Sequence, residues 1–350
     1  MYLLSIVPED LELVIPGNVG FFEWLIVISF LLHIIFVNIT VGSSALAVVQ
    51  EVRGIKTRNR LYDEMASQLA HHTSVLKSIA VVLGVAPLLL ISVIYTQYFY
   101  PSTILIGKAW LSLLILLIVA FLLLYVYKFT WDRWTHVYYK RIHVLVGAIG
   151  SLLLLFVPLI FIVNVVSMLY PDMWEGSKGF FHALTYYPQV WQRYAHFILA
   201  SFALAGFYVY FWNARLSRKA EKGEEEPSEL HGLGKKLGLK VLIVSTALQF
   251  FTGFWLLLQF EPEIRLLYMG EDLLLTTLLV GSILLTIVLL VFLFLLMKHS
   301  TKRYFILSVA TFVVVLGAMG WMRHELRENY LKPYIDEHPR TVNVQEKLEE

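Results

Sequence analysis

The sequence predicts an all-α fold, an integral membrane bundle of eight transmembrane helices with N and C termini both outside. Composition is the first reason: 58% of the residues are hydrophobic, 15% are charged and the mean hydropathy is +0.69, far from the norm of soluble chains. The second is that apolar runs long enough to cross a bilayer recur along nearly the whole chain. The third is an alternation of charge. Segments 51–72, 128–141, 213–240 and 298–303 carry 4, 4, 7 and 3 basic residues, whereas the opposing segments before the C-terminal tail offer only Lys108, Lys178, Arg193 and Arg265. Basic segments stay in the cytoplasm, and an even number of spans then puts both termini on the other side.

In order, the spans read as about 20–50, 74–99, 103–128, 142–170, 190–213, 237–260, 272–297 and 303–322. The first lacks the basic start and small-residue cleavage site of a signal peptide and reads as a retained helix. Pro87 and Pro158 fall inside the second and fourth spans, where each removes a backbone hydrogen bond and invites a kink. Trp24, Tyr98, Tyr100, Trp131, Trp134, Trp191, Trp212 and Trp321 crowd the span ends as an interfacial belt does. The charged stretch 216–236 reads as a cytoplasmic linker. It divides a five-helix half, 1–215, from a three-helix half, 237–322. The remainder, 323–350, reads as a polar outer tail in which Pro333 and Pro339 discourage a long helix.

Three ligand-capable side chains, His33, His196 and Glu325, fall toward the outer end of three different spans. His33 lies nine residues past Trp24, roughly 13 Å along a helix. His196 follows Trp191 by five residues, and Glu325 is one turn beyond Trp321. Imidazole and carboxylate inside hydrocarbon need a partner, and together they suit iron, zinc or copper. Depth alone leaves three readings open: a haem, polar contacts between helices, or a proton path. Arg193, three residues before His196 on the same helical face, could hold a haem propionate or simply reach to headgroups. His143, with His71 or His72, could form an inner site. His182, with Tyr186 and Tyr187, could line a quinone pocket. The chain has no cysteine, which excludes disulfides, iron–sulfur ligation and covalent c-type haem attachment. A net charge of +2 makes no case for nucleic acid.

The run Leu32-His33-Ile34-Ile35-Phe36 followed by Thr40-Val41-Gly42 resembles the first helix of subunit I of cytochrome bd quinol oxidases, in which a His within an H-x-x-F-x-x-x-T-x-G pattern ligates a high-spin haem. Trp131-Asp132-Arg133 resembles that family's W-D-R signature, followed by a similar small-residue span around Gly147, Gly150 and Ser151. Tyr194-Ala195-His196, running on to Ala205-Gly206, is similar to the helix carrying the low-spin haem histidine. Gly320-Trp321-Met322-Arg323-His324-Glu325 keeps the G-W-x-x-x-E arrangement whose Glu is a high-spin haem ligand in the family.

The resemblance implies one to three haems b, with a high-spin pair among the options, held through His33, His196 and Glu325, with Arg193 and Trp321 beside them. Quinone or quinol would be the substrate, in the cytoplasmic (inner) membrane of a prokaryote. The chain departs from the family in several places. Leu279 stands where a Met would pair with the low-spin His, leaving Met269, His182 or His324 as substitutes. Only Glu261 to Gly270 stands for the long quinol-binding loop, 109–127 holds no acid, and there is no ninth span. The expected function is electron transfer between the quinone pool and an outer-face redox partner such as a cytochrome c, with room for a second membrane subunit. The alternatives are a terminal oxidase reducing O2 with quinol, and a haem-free membrane anchor of a respiratory complex.

Overall fold

The structure, a computed structural model, describes residues 18–337 apart from 135, 225 and 227. It is a bundle of α-helices: α1 (Val19–Thr57), α2 (Arg60–Ile94), α3 (Thr96–Leu105), α4 (Gly107–Phe129), α5 (Val137–Met168), α6 (Phe180–Tyr186), α7 (Val190–Glu221), α8 (Glu229–Leu258), α9 (Pro262–Leu266), α10 (Leu273–His299) and α11 (Lys302–Glu337). No strand occurs among the described residues. Eight helices, all but α3, α6 and α9, are long and apolar enough to cross a membrane. Their outward faces carry large exposed apolar side chains such as Leu111, Leu114 and Ile115 on α4, as lipid-facing helices require.

Helix boundaries follow local chemistry. Asn18 caps α1 by accepting the Phe21 N–H at 3.3 Å, and Asn59 caps α2 by accepting the Leu61 N–H at 2.9 Å. Arg58, in left-handed conformation (φ 52°), makes the sharp turn between them. Asp272 caps α10 through Leu275 at 2.8 Å. Such side-chain acceptors satisfy amide donors that the first helical turn leaves unpaired.

Helix α1 is the hub. It packs mainly against α2 and α7, and also against α5 and α11, while α7 pairs with α8, α4 with α5 and α10 with α11. Two crossings depend on missing side chains. A Cβ added to Gly42 would lie 2.1 Å from the Ser201 carbonyl oxygen, and one on Gly206 would lie 2.7 Å from the Gly238 carbonyl oxygen. These contacts bring α7 against both neighbours, as small residues do in membrane packing. Gly42→Val is expected to cost at least the ~1–3 kcal/mol of ordinary overpacking, because backbone cannot swing aside. Thermal unfolding in detergent, followed by helical circular dichroism, reads that loss.

Three features differ from the sequence reading. The chain between the second and third spans turns at Tyr95 and forms the separate helix α3. Most of 216–236 is helical, because α7 runs to Glu221 and α8 starts at Glu229. Finally, α11 passes straight through Pro333 to Glu337. The proline removes one backbone bond near the helix end, while Leu326, Tyr330 and Leu331 in the turns just before it are buried in the core. The tail beyond residue 337, including Pro339, lies outside the described residues.

Candidate functional site

His33 and His196 are placed alike. The Nδ1 of His33, on α1, lies 2.9 Å from the Ala80 carbonyl oxygen of α2. A carbonyl only accepts, so the proton of the neutral ring sits on Nδ1 and the lone pair is on Nε2. A Cβ on Gly84 would come within 2.7 Å of this ring, so the glycine makes the space the imidazole leans into. The Nδ1 of His196, on α7, lies 3.2 Å from the Thr252 hydroxyl of α8. That hydroxyl donates to the Gln249 carbonyl at 3.3 Å, so its oxygen accepts from the ring. His196 therefore also keeps its lone pair on Nε2. Each imidazole has the orienting bond that metal-ligating histidines use.

The third residue of the trio turns elsewhere. Glu325 takes a hydrogen bond from Trp321 and feels the charges of Glu328 and Asp272. His33 thus bonds α2 and His196 bonds α8, while Glu325 and Arg193, one turn before His196, both act on Tyr268. The neighbouring residue, His324, is buried and faces α1. Its ring lies 5.2 Å from that of Trp321, which rests on Trp24 at 4.3 Å.

His324, Glu23 and Glu328 bring their ligand atoms within 4.8 Å of one another, and Tyr95 donates to Glu328. Two carboxylates and an imidazole could take a divalent cation. However, Arg327 donates to His324 Nδ1 at 3.0 Å. A guanidinium cannot accept, so the ring proton must sit on Nε2, 3.9 Å from Glu23 Oε2. The nitrogen nearest the carboxylates is therefore a donor, and the group as arranged suits proton sharing better than metal ligation.

Arg193 is held by a network the sequence did not reveal. Its guanidinium donates twice to Gln189 Oε1, at 3.1 and 2.6 Å, and Gln189 Nε2 contacts the hydroxyls of Tyr170 at 2.5 Å and Tyr330 at 2.8 Å. Gln189 adopts a left-handed backbone (φ 68°) although it is not glycine, so three partners fix a residue in a costly conformation. Burial raises the Tyr170 and Tyr268 hydroxyls well above the ordinary phenol range, so both stay protonated. Burial, with Glu263 and Asp172 nearby, also raises the Glu261 carboxyl.

At the basic end of the bundle, His143 is fully buried. Nδ1 lies 2.7 Å from Glu51 Oε1 and Nε2 lies 2.7 Å from the Tyr127 carbonyl oxygen. Both nitrogens are engaged, so His143 does not go forward as a metal ligand. Glu51 also accepts from the Tyr127 hydroxyl at 2.7 Å and pairs with Lys140 at 3.2 Å, and Lys140 reaches Asp63 at 2.7 Å. Of the other histidines named for this end, His72 packs against Trp212 and Tyr208, and His71 bonds the Ser67 carbonyl. Neither is joined to His143. His182 accepts the Lys178 N–H at Nδ1, 3.3 Å away, and rests on Tyr186 at 4.7 Å, while Tyr186 meets Tyr187. Met269 is 66% exposed in the kink before α10, which removes it as a partner for His196.

Comparison with known proteins bears on this arrangement. The family model for cytochrome bd terminal oxidase subunit I matches residues 23–260, which carry both His33 and His196. The chain belongs to that family. Membership makes it a membrane protein of electron transport in a family that works with haem and quinol. The match ends before α10 and α11, so Glu325 lies outside it. Among solved structures, the bd oxidase from Geobacillus thermodenitrificans has a chain with the same fold, at 14% identity and a TM-score of 0.62, covering 93% of this chain and 89% of that one. No curated protein matches the sequence.

Proposed function

We propose that this chain is a haem-b-bearing membrane subunit that exchanges electrons between the quinone pool and a redox partner at the outer face. The observation that carries the reading is the matched pair of imidazoles, His33 and His196, each with Nδ1 tied to an acceptor and Nε2 left as a ligand. Haem iron bound there would supply one-electron chemistry. His33 and His196 would each hold an iron, and Glu325 is the candidate for a further one. Arg193, fixed by Gln189 three residues before His196, would balance propionate charge. The absence of cysteine means that onward transfer at the outer face falls to a separate subunit. The test is a reduced-minus-oxidised spectrum of the purified chain with pyridine haemochrome quantification. A b-type signal of at least one haem per chain is expected, and a chain with no haem signal would sink the reading.

A second reading, reduction of O2 with quinol, is favoured by one feature of α1. Asn38, Thr40, Ser43, Ser44, Gln50 and Glu51 are all buried along its basic half. They span fourteen residues, about 20 Å at the helical rise. The Ser201 hydroxyl donates to Asn38 at 2.8 Å, and the hydroxyls of Thr40, Ser43, Thr73 and Ser151 take no protein hydrogen bond. Buried groups of this kind are ordinarily satisfied by ordered water. These buried polar groups run along α1 from Glu51 to Asn38, five residues from His33 in sequence, and with water bridging the apolar stretch 45–49 they could carry protons without an acid on α4. Oxygen uptake by the purified complex with a quinol donor separates the two readings: a carrier consumes none.

A further inference from the structure

The basic end of α7 contains a cavity of 230 Å³ that the electron-transfer reading leaves unused. It is lined by four cations, Arg215, Arg218, Lys219 and Lys222, and by one carboxylate, Glu224. The cations sit at i, i+3, i+4 and i+7, which places them on one face of the helix. Such a stripe repels itself, and an exposed stripe needs nothing more than water. Here, however, the cations edge a concavity, and the same face continues differently toward the membrane.

One turn further into the membrane that face presents Phe211, and a turn beyond it Phe207. Phe305 and Phe312 of α11 stand opposite. Their rings form a near-parallel ladder: Phe211 to Phe305 at 6.1 Å and 19°, Phe207 to Phe305 at 6.5 Å and 6°, and Phe207 to Phe312 at 5.7 Å and 13°. Phe305 also lines the cavity, and Arg218 lies over its ring at 6.0 Å. Phe211 is 41% exposed, so the ladder is open at its side. The rim is shaped by the way α7 stops. Gly223 takes a left-handed conformation (φ 74°), its N–H bonds the Ala220 carbonyl at 3.0 Å, and the Glu224 N–H reaches back to the Lys219 carbonyl at 2.9 Å. This double closure ends α7 just after Lys222 and leaves Glu224 at the cavity rim.

We infer that this cavity is a binding site for an anionic phospholipid, its phosphodiester held by the α7 cations and its acyl chains laid along the phenylalanine ladder. The chemistry asked of the ligand is amphiphilic along the membrane normal: negative charge at the interface and hydrocarbon immediately below. Phe207, Phe305 and Phe312 also pack on the core formed by α7, α8 and α10, and the α7 cations stand where that apolar surface meets the interface. Basic pockets between membrane helices recognise lipid headgroups by this combination. A free phosphate ester would use the cations and leave the ladder irrelevant.

The test uses the full purified chain in nonionic detergent, stripped of lipid and titrated with phosphatidylglycerol, phosphatidylcholine or inorganic phosphate. Bound lipid is counted by native mass spectrometry, and unfolding temperature is followed in parallel. Phosphatidylglycerol is expected to bind in preference to phosphatidylcholine and to raise the unfolding temperature. Each cation near the phosphate is worth about a fivefold change in partition, so R218Q/K222Q should weaken phosphatidylglycerol binding by about 25-fold. The control K236Q/K240Q removes two exposed charges from the same end of the bundle, on α8, and should leave binding unchanged. F305A, which keeps every charge, should weaken phosphatidylglycerol as well. Equal losses in the control, equal binding of the two lipids, or inorganic phosphate stabilising the chain as well as lipid does, would each overturn the proposal. Should R218Q/K222Q fail to fold, F305A alone decides between lipid and free phosphate.

Discussion

His196→Ala is expected to remove one haem from the purified chain, seen as a fall of one equivalent in pyridine haemochrome and loss of its component in the reduced-minus-oxidised spectrum. His33→Ala should remove a different component, because the two rings sit on different helices and bond different neighbours. If both variants lose the same band, or neither loses any, the assignment of separate irons fails. Thr252→Val is the sharper probe. Valine keeps the shape of threonine but cannot accept from Nδ1, so the His196 ring is free to rotate and to shift its proton. Loss of such an orienting partner typically lowers metal affinity by about 10–100-fold. A haem that still loads in Thr252→Val but exchanges faster would fit an imidazole positioned by Thr252. A haem indifferent to the change would mean that Thr252 contributes only packing.

The sequence located these residues only in part, for a geometric reason. Hydropathy and charge alternation are properties of single segments, so the eight spans and their order could be read directly. Axial depth could be read as well, since residues advance by a fixed rise along a helix. Azimuth could not. His324 and Glu325 differ by one residue, yet they point about 100° apart around α11, and packing against α1 decides which faces the interior. Gly320 against Leu31 and Trp321 against Trp24 set that rotation, and neither pairing is visible as a pattern. The status of His143 was likewise hidden, because the group that occupies its Nδ1 is Glu51, 92 residues earlier.

The persistence of α11 through Pro333 has the same origin. Local propensity argues for a break, but the lost bond is one among many in a helix whose last turns bury Tyr330 and Leu331. Tyr330 also joins Tyr170, Gln189 and the Glu261 N–H. This network links the end of α5, the start of α7 and the loop before α9 to α11. It therefore braces the ends of the helices that carry His196 and Glu325. Tertiary contacts outweigh propensity here, as they commonly do.

Glu51→Leu is expected to be the most destabilising single change at the basic end of the bundle. The carboxylate is completely buried and serves three donors: His143 Nδ1, the Tyr127 hydroxyl and Lys140 Nζ. Removing one member of a buried charged group generally costs about 3–5 kcal/mol, because the partners remain without compensation. Lys140 is partly spared, since Asp63 still holds it at 2.7 Å. His143 and Tyr127 are not, because each loses an acceptor in a site closed to water. Glu51→Gln should cost less, as the amide oxygen can still accept from one of them. In Glu51→Gln combined with His143→Ala, the losses should fall short of additive, as they do for side chains in direct contact. Thermal unfolding of the purified chain in detergent measures all four variants, His143→Ala alone included, and fully additive losses would show that Glu51 and His143 act independently. The same variants bear on proton transfer. On the O2-reducing reading, with Glu51 as the point where protons enter along α1, Glu51→Gln should slow quinol-driven oxygen uptake at a temperature where the variant is still fully folded. The haem spectrum should stay intact, because the His33 and His196 contacts lie with α2 and α8 further along the membrane.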